Sequence, residues 1–380
     1  MKPELNKRSV VNSLSQSTRR KLALVACALA LGLAANAQTI ITFDPPGSTN
    51  TEAFAINPAG AITGPYLDAS GHRHGYLRAP DGTFTTIDAP CAGSRGTLPY
   101  SINPAGAIAG RCADGNLVLH GWLRAPDGTF TMIDVPGAGT GRLQGTQALN
   151  INPAGEIAGA YIDANNVWHG FVRAPDGTIT TYDAPGAGLG PGQGTDISTV
   201  DALNPQGAIV GGYVNQGSIS DGTEVWHGYV RAADGTFTEY DVPGAGTGPG
   251  QGTDSSGINP VGTTEGISTD AAGVMHGFVR TFHGTIITYD APGAGTVSGQ
   301  GTIAENINAA GNIAGRYIDA GNVSHGFLRT KQGAITEFDV PGAGAGPGQG
   351  TFPNCNNAAD TITGWYVDAN GVTHGFLRTP

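Results

Sequence analysis

Basic residues, cysteines and long apolar runs are all scarce in this 380-residue chain, and charged residues of either sign make up 13 % of it. Six of the 19 Lys and Arg precede Leu22, so from residue 38 onward 13 basic residues face 29 acidic ones, a net charge of −16. Phosphate recognition needs a basic stripe, so nucleic acid and anionic membrane surfaces are excluded as partners. The apolar run from Leu22 to Ala35 has 14 residues, too few to span a bilayer. The Asp-x-Asp-x-Asp-Gly calcium loop is absent, and the Gly-x-Gly spacings are not followed by a helical pattern, so neither a metal nor a dinucleotide cofactor is expected. Gly and Pro, in contrast, are abundant at 62 and 24 residues, which excludes an ordinary helical enzyme.

The first segment reads as an export signal. Lys2, Lys7, Arg8, Arg19, Arg20 and Lys21 precede the apolar run, and Ala35-Asn36-Ala37 offers a cleavage site before Gln38. The expected boundaries are a leader over 1–37 and one domain over 38–380, in a protein that is periplasmic or extracellular. Thr18-Arg19-Arg20-Lys21-Leu22 leaves the twin-arginine and general routes both open. Of four cysteines, Cys91, Cys112 and Cys355 survive cleavage. The expectation is one bridge, Cys91 to Cys112, with Cys355 free; three small buried hydrophobes is the alternative.

Self-comparison decides the architecture. His-Gly recurs at His74, His120, His169, His227, His276, His325 and His374, at intervals of 46, 49, 58, 49, 49 and 49 residues. Four residues after each His stands an Arg: Arg78, Arg124, Arg173, Arg231, Arg280, Arg329 and Arg378. An Asn-x-x-Gly turn precedes it, beginning at Asn57, Asn103, Asn152, Asn204, Asn259, Asn308 and Asn357 in turn except where the Gly is lost. A period near 49 signals a repeat architecture. Within the third unit, alternating residues give strands over Gln147 to Asn152, Ile157 to Asp163, Val167 to Arg173 and Thr178 to Asp183, joined by turns. Seven such units describe an all-β, seven-bladed β-propeller of four-stranded antiparallel blades.

The ends of the chain predict closure. Units finish in a strand ending Asp-x-Pro, at Asp88, Asp134, Asp183, Asp241, Asp290 and Asp339, whereas the last stops at Pro380 without one. The missing strand stands at the other end, where Ile40 to Phe43 runs into Asp44-Pro45. Segment 40–46 is therefore expected to complete the last blade and remove two exposed sheet edges.

Sevenfold recurrence makes the His, Arg and Asp triplet a structural device rather than a catalytic site. Each His is expected to bond a carboxylate or backbone group, and each Arg to pair with a nearby Asp, across a blade boundary. The Gly after each His, with Gly64, Gly159 and Gly315, is expected to admit aromatic rings from the next sheet. Units such as Ile157-Ala158-Gly159 and His169-Gly170-Phe171-Val172-Arg173 resemble the HAF-type extracellular repeat, with Gly replacing its Ala and Arg its Trp. The resemblance covers the whole mature chain and implies an exported propeller-like domain; it carries no catalytic residue.

Broken symmetry marks where a ligand would go. The fourth unit is longer by nine residues, six between Tyr213 and His227 and three between Asp183 and Asn204, and both extensions are expected on one loop face. This makes Gln216, Ser218, Ser220, Asp221 and Thr223 ligand-binding candidates. Glu52, Asp201, Asp254 and Glu305 bring carboxylates from four units toward the axis as a second candidate group. The Gly-rich inter-blade connections, such as Pro185 to Thr195, read either as anion-cradling nests or as plain connectors. Cys112 and Ser268, which replace the common second-strand Tyr, read as packing variants. The function expected is a secreted, monomeric, non-enzymatic binding scaffold whose partner is a polysaccharide or surface protein. The alternatives are a propeller-type lyase or glycoside hydrolase using Glu52, Asp201 or Glu305, and a structural envelope component.

Overall fold

Alternating side chains in Gly145–Ile151, Ile157–Ile162, Trp168–Arg173 and Ile179–Tyr182 form four successive antiparallel strands of the third unit. The computed structural model describes residues 38–93, 96–197 and 201–380, and the expected leader lies outside the described residues. The repeated polar residues close the turns. Asn152 Oδ1 accepts the amides of Ala154 and Glu156, Asp163 Oδ1 those of Asn165 and Val167, and Asp176 Oδ1 that of Thr178. Such Asx turns compete well with extended pairing and stop each strand at the same place. A bulge between Ala148 and Asn150 bends the first strand, and it recurs in the first strands of other units.

The chain is all-β and built of repeating units of this kind, in a propeller-like arrangement. From the second unit to the seventh, neighbours are stitched by a short parallel pairing, as Gly145 opposite Leu119 and Gly301 opposite Met275. Gly145 has φ +115°, and a Cβ there would strike the Leu119 carbonyl, so only glycine serves. The following Thr146 hydroxyl accepts the Val135 amide at 2.9 Å, the residue between Asp134 and Pro136. The same bond recurs from Thr97, Thr195, Thr253, Thr302 and Thr351.

The core lies between units. The aromatic residue after each His-Gly, namely Tyr76, Trp122, Phe171, Tyr229, Phe278, Phe327 and Phe376, is fully buried, and each contributes about 2–3 kcal/mol on an area basis. At Gly170, Gly277 and Gly326 the glycine beside it makes room for a ring of the same unit: a Cβ at Gly170 would enter the Tyr182 ring, its partner one strand over. The expected ring from the next sheet is thus corrected to the adjacent strand.

Thr39–Phe43 pairs with the final strand, Thr373–Thr379. Near the axis, Asn57 donates its side-chain amide to the Asn103 carbonyl, Asn103 to Asn152, Asn152 to Asn204, Asn204 to Asn259, Asn308 to Asn357, and Asn357 back to Asn57, at 2.9–3.4 Å. A cavity of about 190 Å³ takes part of its lining from this Asn in each of the seven units. Cys91 and Cys112 form a disulfide with Cα atoms 6.0 Å apart, and Cys355 is free and buried.

One expectation about the fourth unit is overturned. Gly194–Thr195 keeps the usual spacing from Asp183 and pairs with Val214 and Tyr213, so the connection before it is of normal length. The three extra residues lie instead between Thr195 and Asn204, nine positions apart against six between Thr146 and Asn152. The first strand's pairing runs through Asp196, whose amide bonds the Gly212 carbonyl, and is found again at Ala202 and Leu203 opposite Val210 and Ile209; 198–200 lie outside the described residues.

Candidate functional site

Each of the seven repeat histidines points Nδ1 at the Asp of an Asp-x-Pro strand. The distances are 2.7 Å for His74–Asp88, His120–Asp134 and His374–Asp44, 2.8 Å for His169–Asp183, 2.9 Å for His227–Asp241 and His276–Asp290, and 3.0 Å for His325–Asp339. A second carboxylate faces Nε2 in most units, as Asp68 at 3.4 Å from His74 and Asp163 at 3.8 Å from His169. The ring stacks on the second-strand Tyr, for example Tyr161 at 4.8 Å. Burial opposes charging of His74, yet hydrogen bonds and charge from Asp88 and Asp68 outweigh it and raise its pKa; the Asp183 hydrogen bond leads the same rise at His169. In the fourth unit Asn215 replaces the second carboxylate, and His227 Nε2 is buried without a partner.

The arginines depart from expectation, because rings take the place of the expected carboxylates. Five of them lie over the aromatic ring that precedes the Asp of an Asp-x-Pro strand: Arg78 over Phe43, Arg231 over Tyr182, Arg280 over Tyr240, Arg329 over Tyr289 and Arg378 over Phe338, at 4.4–4.9 Å. The guanidinium is weakly hydrated and planar, so a ring face suits it at a half-buried seam where a carboxylate would lose its own hydration. Arg124 and Arg173 have Ile87 and Ile133 at the matching positions.

The inner strands carry two unlike arcs. Along one, Phe352 stacks on Trp365 at 5.8 Å, Trp365 meets Phe54 at 5.9 Å, and Phe54 stacks on Tyr100 at 5.6 Å. Arg316 covers Phe352 at one end, and Arg111 Nε donates to the Tyr100 hydroxyl at the other. The second arc is acidic. Burial lifts Asp196 to about 6, and burial together with the charges of Asp196 and Glu305 lifts Asp254 to about 7. Asp201 is raised by burial against hydrogen bonds from Asn306 (2.5 Å) and Cys355. Glu305 is raised by burial despite Arg316 Nε at 3.1 Å. Glu265 is fully buried with neither oxygen hydrogen-bonded, and burial followed by Glu305, Asp254 and Asp201 pushes its pKa far up.

Three of the four candidate carboxylates therefore share one electrostatic neighbourhood, and Glu52 does not. It lies beside Arg73 in another cavity, its pKa raised by burial. The repeat pattern does not single out Asp196, Glu265 or the aromatic arc, although two signals exist. Asp196 repeats the Gly-Thr-Asp of Gly252-Thr253-Asp254, and Glu265 stands where other units have Thr63, Ala109, Ala158, Val210, Ala314 and Thr363. Among the described residues, no group of three or more His, Cys, Asp or Glu is arranged to hold a metal ion.

The fourth-unit insertion is internally bonded. Thr223 Oγ1 donates to Asp221 at 2.6 Å, the Ser220 amide to Ser218 Oγ at 3.1 Å, and the Val225 amide to the Gln216 carbonyl at 3.0 Å. Its Ile219 amide reaches the Gly192 carbonyl of the preceding connection at 2.9 Å. Of the five candidates, Ser220 lines a cavity of about 570 Å³ with Trp168, Asn166, Gln147, Leu143, Arg142 and Arg111. The Gly-rich connections are not open nests: Gln144, Gln193, Gln251 and Gln349 each accept the amide of the Gly three residues earlier.

No family model matches the chain, and no curated protein matches it. Solved structures do. The chain is similar to puromycin hydrolase at 12 % identity and TM-score 0.52, over 87 % of this chain and 55 % of that one. It is similar to an acylaminoacyl peptidase of Pyrococcus horikoshii at 10 % identity and TM-score 0.51, over 89 % and 51 %. A lectin of Aleuria aurantia in complex with Fucα1-6GlcNAc matches at 11 % identity and TM-score 0.42, over 88 % and 93 %. The chain spans about half the length of the first two. At these identities the likeness of the first two concerns the fold alone, a propeller-like one.

Proposed function

We propose that the chain is an exported, non-enzymatic β-propeller that binds glycans on the face bearing its inter-unit connections. In this reading seven units close into one ring, with Thr39–Phe43 as the outer strand of the last, supported by its pairing with Thr373–Thr379 and by the Asn357–Asn57 bond. The repeat is a divergent relative of the HAF type, and the His–Asp pairs and stacked arginines are structural pins that recur from unit to unit.

The observation that carries the binding reading is the 570 Å³ cavity where the inserted loop arrives. It offers a half-buried indole, Trp168, beside the amides of Asn166 and Gln147 and the hydroxyl of Ser220. A flat apolar face flanked by planar hydrogen-bonding groups matches the alternating CH and OH surfaces of a sugar ring. A glycan array probed with the purified protein tests it, repeated with Trp168→Ala and with residues 216–223 deleted. Binding that both changes abolish supports the reading; binding indifferent to both defeats it.

One observation favours a second reading, acid–base cleavage of a glycan at the inner acidic arc: Asp254, raised to about 7, has other carboxylates near it. Depolymerisation that disappears in Asp254→Asn while binding persists would establish this reading over the first.

A further inference from the structure

The cavity at Trp168 does not end there. It shares Arg111 and Leu119 with a smaller cavity over the second unit, and that one shares Arg73 with a third over the first unit, bounded by Tyr66 and Glu52. The three, of about 570, 30 and 90 Å³, adjoin through these shared side chains and form a row across three units, called the groove below, with Arg73, Arg111 and Arg142 along it. Beyond the seven repeat arginines, residues 38–380 hold only six basic side chains, and half of them lie here. A strongly acidic protein has concentrated its spare positive charge on one track.

Among the described residues, none of the three guanidinium groups forms an ion pair with a carboxylate, although Glu52 lies near Arg73; Arg142 is exposed. Over the first two units the connections are shorter than elsewhere. Seven residues separate Asp88 from Gly96 and five separate Asp44 from Asn50, against ten between Asp134 and Gly145, and again between Asp183 and Gly194. The longer connections bear the Gln clamp, whose Nε2 reaches down to the turn between second and third strands, as from Gln144 to Asn166 Oδ1 at 2.9 Å. The first two units lack that clamp. In the second, the Cys91–Cys112 disulfide and the bond from the Gly93 amide to the Ala113 carbonyl at 2.7 Å hold the shortened connection down. Cys112, a groove residue, replaces the Tyr that stacks on His elsewhere.

We propose that this groove binds an acidic polysaccharide, a chain of uronate sugars whose carboxylates meet Arg73, Arg111 and Arg142 while a sugar ring lies on Trp168. The inference rests on the glycan-binding reading and names its ligand class. Guanidinium forks match carboxylates with two parallel bonds. A nucleic acid would bring a denser line of charge against a protein whose residues 38–380 carry a net charge of −16, and the groove has one indole rather than a series of stacking platforms.

Calorimetric titration of the purified protein with oligogalacturonate and oligomannuronate hexamers, their methyl esters, neutral glucan and mannan oligomers, and a dT oligonucleotide tests the proposal. One or both hexuronates are expected to bind, with esterification weakening the interaction about tenfold or more. Arg142→Gln, a surface change, and Arg73→Gln are each expected to weaken it by a similar factor, without altering thermal unfolding. Esters that bind as tightly as the acids, arginine variants with unchanged affinity, or an oligonucleotide that competes equally would each overturn it. Neutral glycans that bind while uronates fail would remove this inference and leave the glycan reading standing. Failure of every sugar removes both.

Discussion

His374 meets Asp44 at 2.7 Å across 330 residues, the same contact that His169 makes with Asp183 across 14. The geometry is equivalent, but the loop-closing consequence is not. Removing one partner of a half-exposed pair costs about 1 kcal/mol. Asp44→Ala and Asp183→Ala should therefore lower stability in urea to a similar small extent. Deleting residues 38–44 removes a whole strand and leaves the edge of Thr373–Thr379 unpaired, which should cost more than about 3 kcal/mol and promote aggregation. If the truncated chain unfolds at the same urea concentration as the intact one, the strand contributes nothing to closure.

The protonation pattern predicts how stability varies with pH. His74 and His169 have raised pKa values in the folded state, so their contribution is full below the unfolded value near 6.5 and is lost as pH rises through the folded value. Asp196 and Asp254 are also raised, to about 6 and about 7. Raised carboxyls favour folding at low pH and penalise it progressively from about pH 4 up to those values. Both sets act in one direction, so thermal stability should be higher at about pH 5.5 than at about pH 8. At Asp163 burial is outdone by hydrogen bonds and the value falls, which sets the opposite trend only below about pH 4. Asp254→Asn should flatten the upper part of the profile, and a melting temperature that increases toward pH 8 in the parent would contradict the assignment.

Glu265 costs stability where it stands. A fully buried carboxyl without hydrogen bonds occupies a position that holds Ala109, Ala158 and Ala314 in other units. Glu265→Ala should stabilise the fold by about 1–3 kcal/mol, more at about pH 8 than at pH 5.5. Denaturant titration at both pH values measures it. A destabilised variant would mean that the carboxyl has a compensating partner or that the cavity left behind outweighs the gain.

How much is legible in the sequence follows from which contacts repeat. The His–Asp pairs lie 14 residues apart within each of the first six units, so a single self-comparison finds both partners and even points to Asp44 as the displaced seventh. In the aromatic arc Phe54 and Tyr100 repeat one position, three residues before Asn57 and Asn103, but Phe352 and Trp365 occupy two others, so no single period links all four. Only the fold brings the two ends of the chain together there. Glu265 is legible in principle, as the one carboxylate in a column of small residues, but the column means burial only once the second strand is known to face the neighbouring unit. The three extra residues of the fourth unit read as part of a loop because spacing counted from Asp183 to Asn204 cannot say on which side of Gly194-Thr195 they fall.

The arginines test why this seam uses rings rather than carboxylates. Arg280 lies over Tyr240 at 4.8 Å and Arg231 over Tyr182 at 4.8 Å, whereas Arg173 has Ile133 in the matching place. If the cation–ring attraction matters beyond packing, a double-mutant cycle between Arg280→Met and Tyr240→Leu should return a coupling of about 0.5–2 kcal/mol. The cycle between Arg173→Met and Ile133→Leu should return a few tenths at most, because Met keeps the aliphatic stem that packs on Ile. Equal couplings in the two cycles would reduce the arginine to a long apolar spacer and leave its recurrence in all seven units to be explained by the turn carbonyl that follows it, as Ala174 follows Arg173 at 3.4 Å.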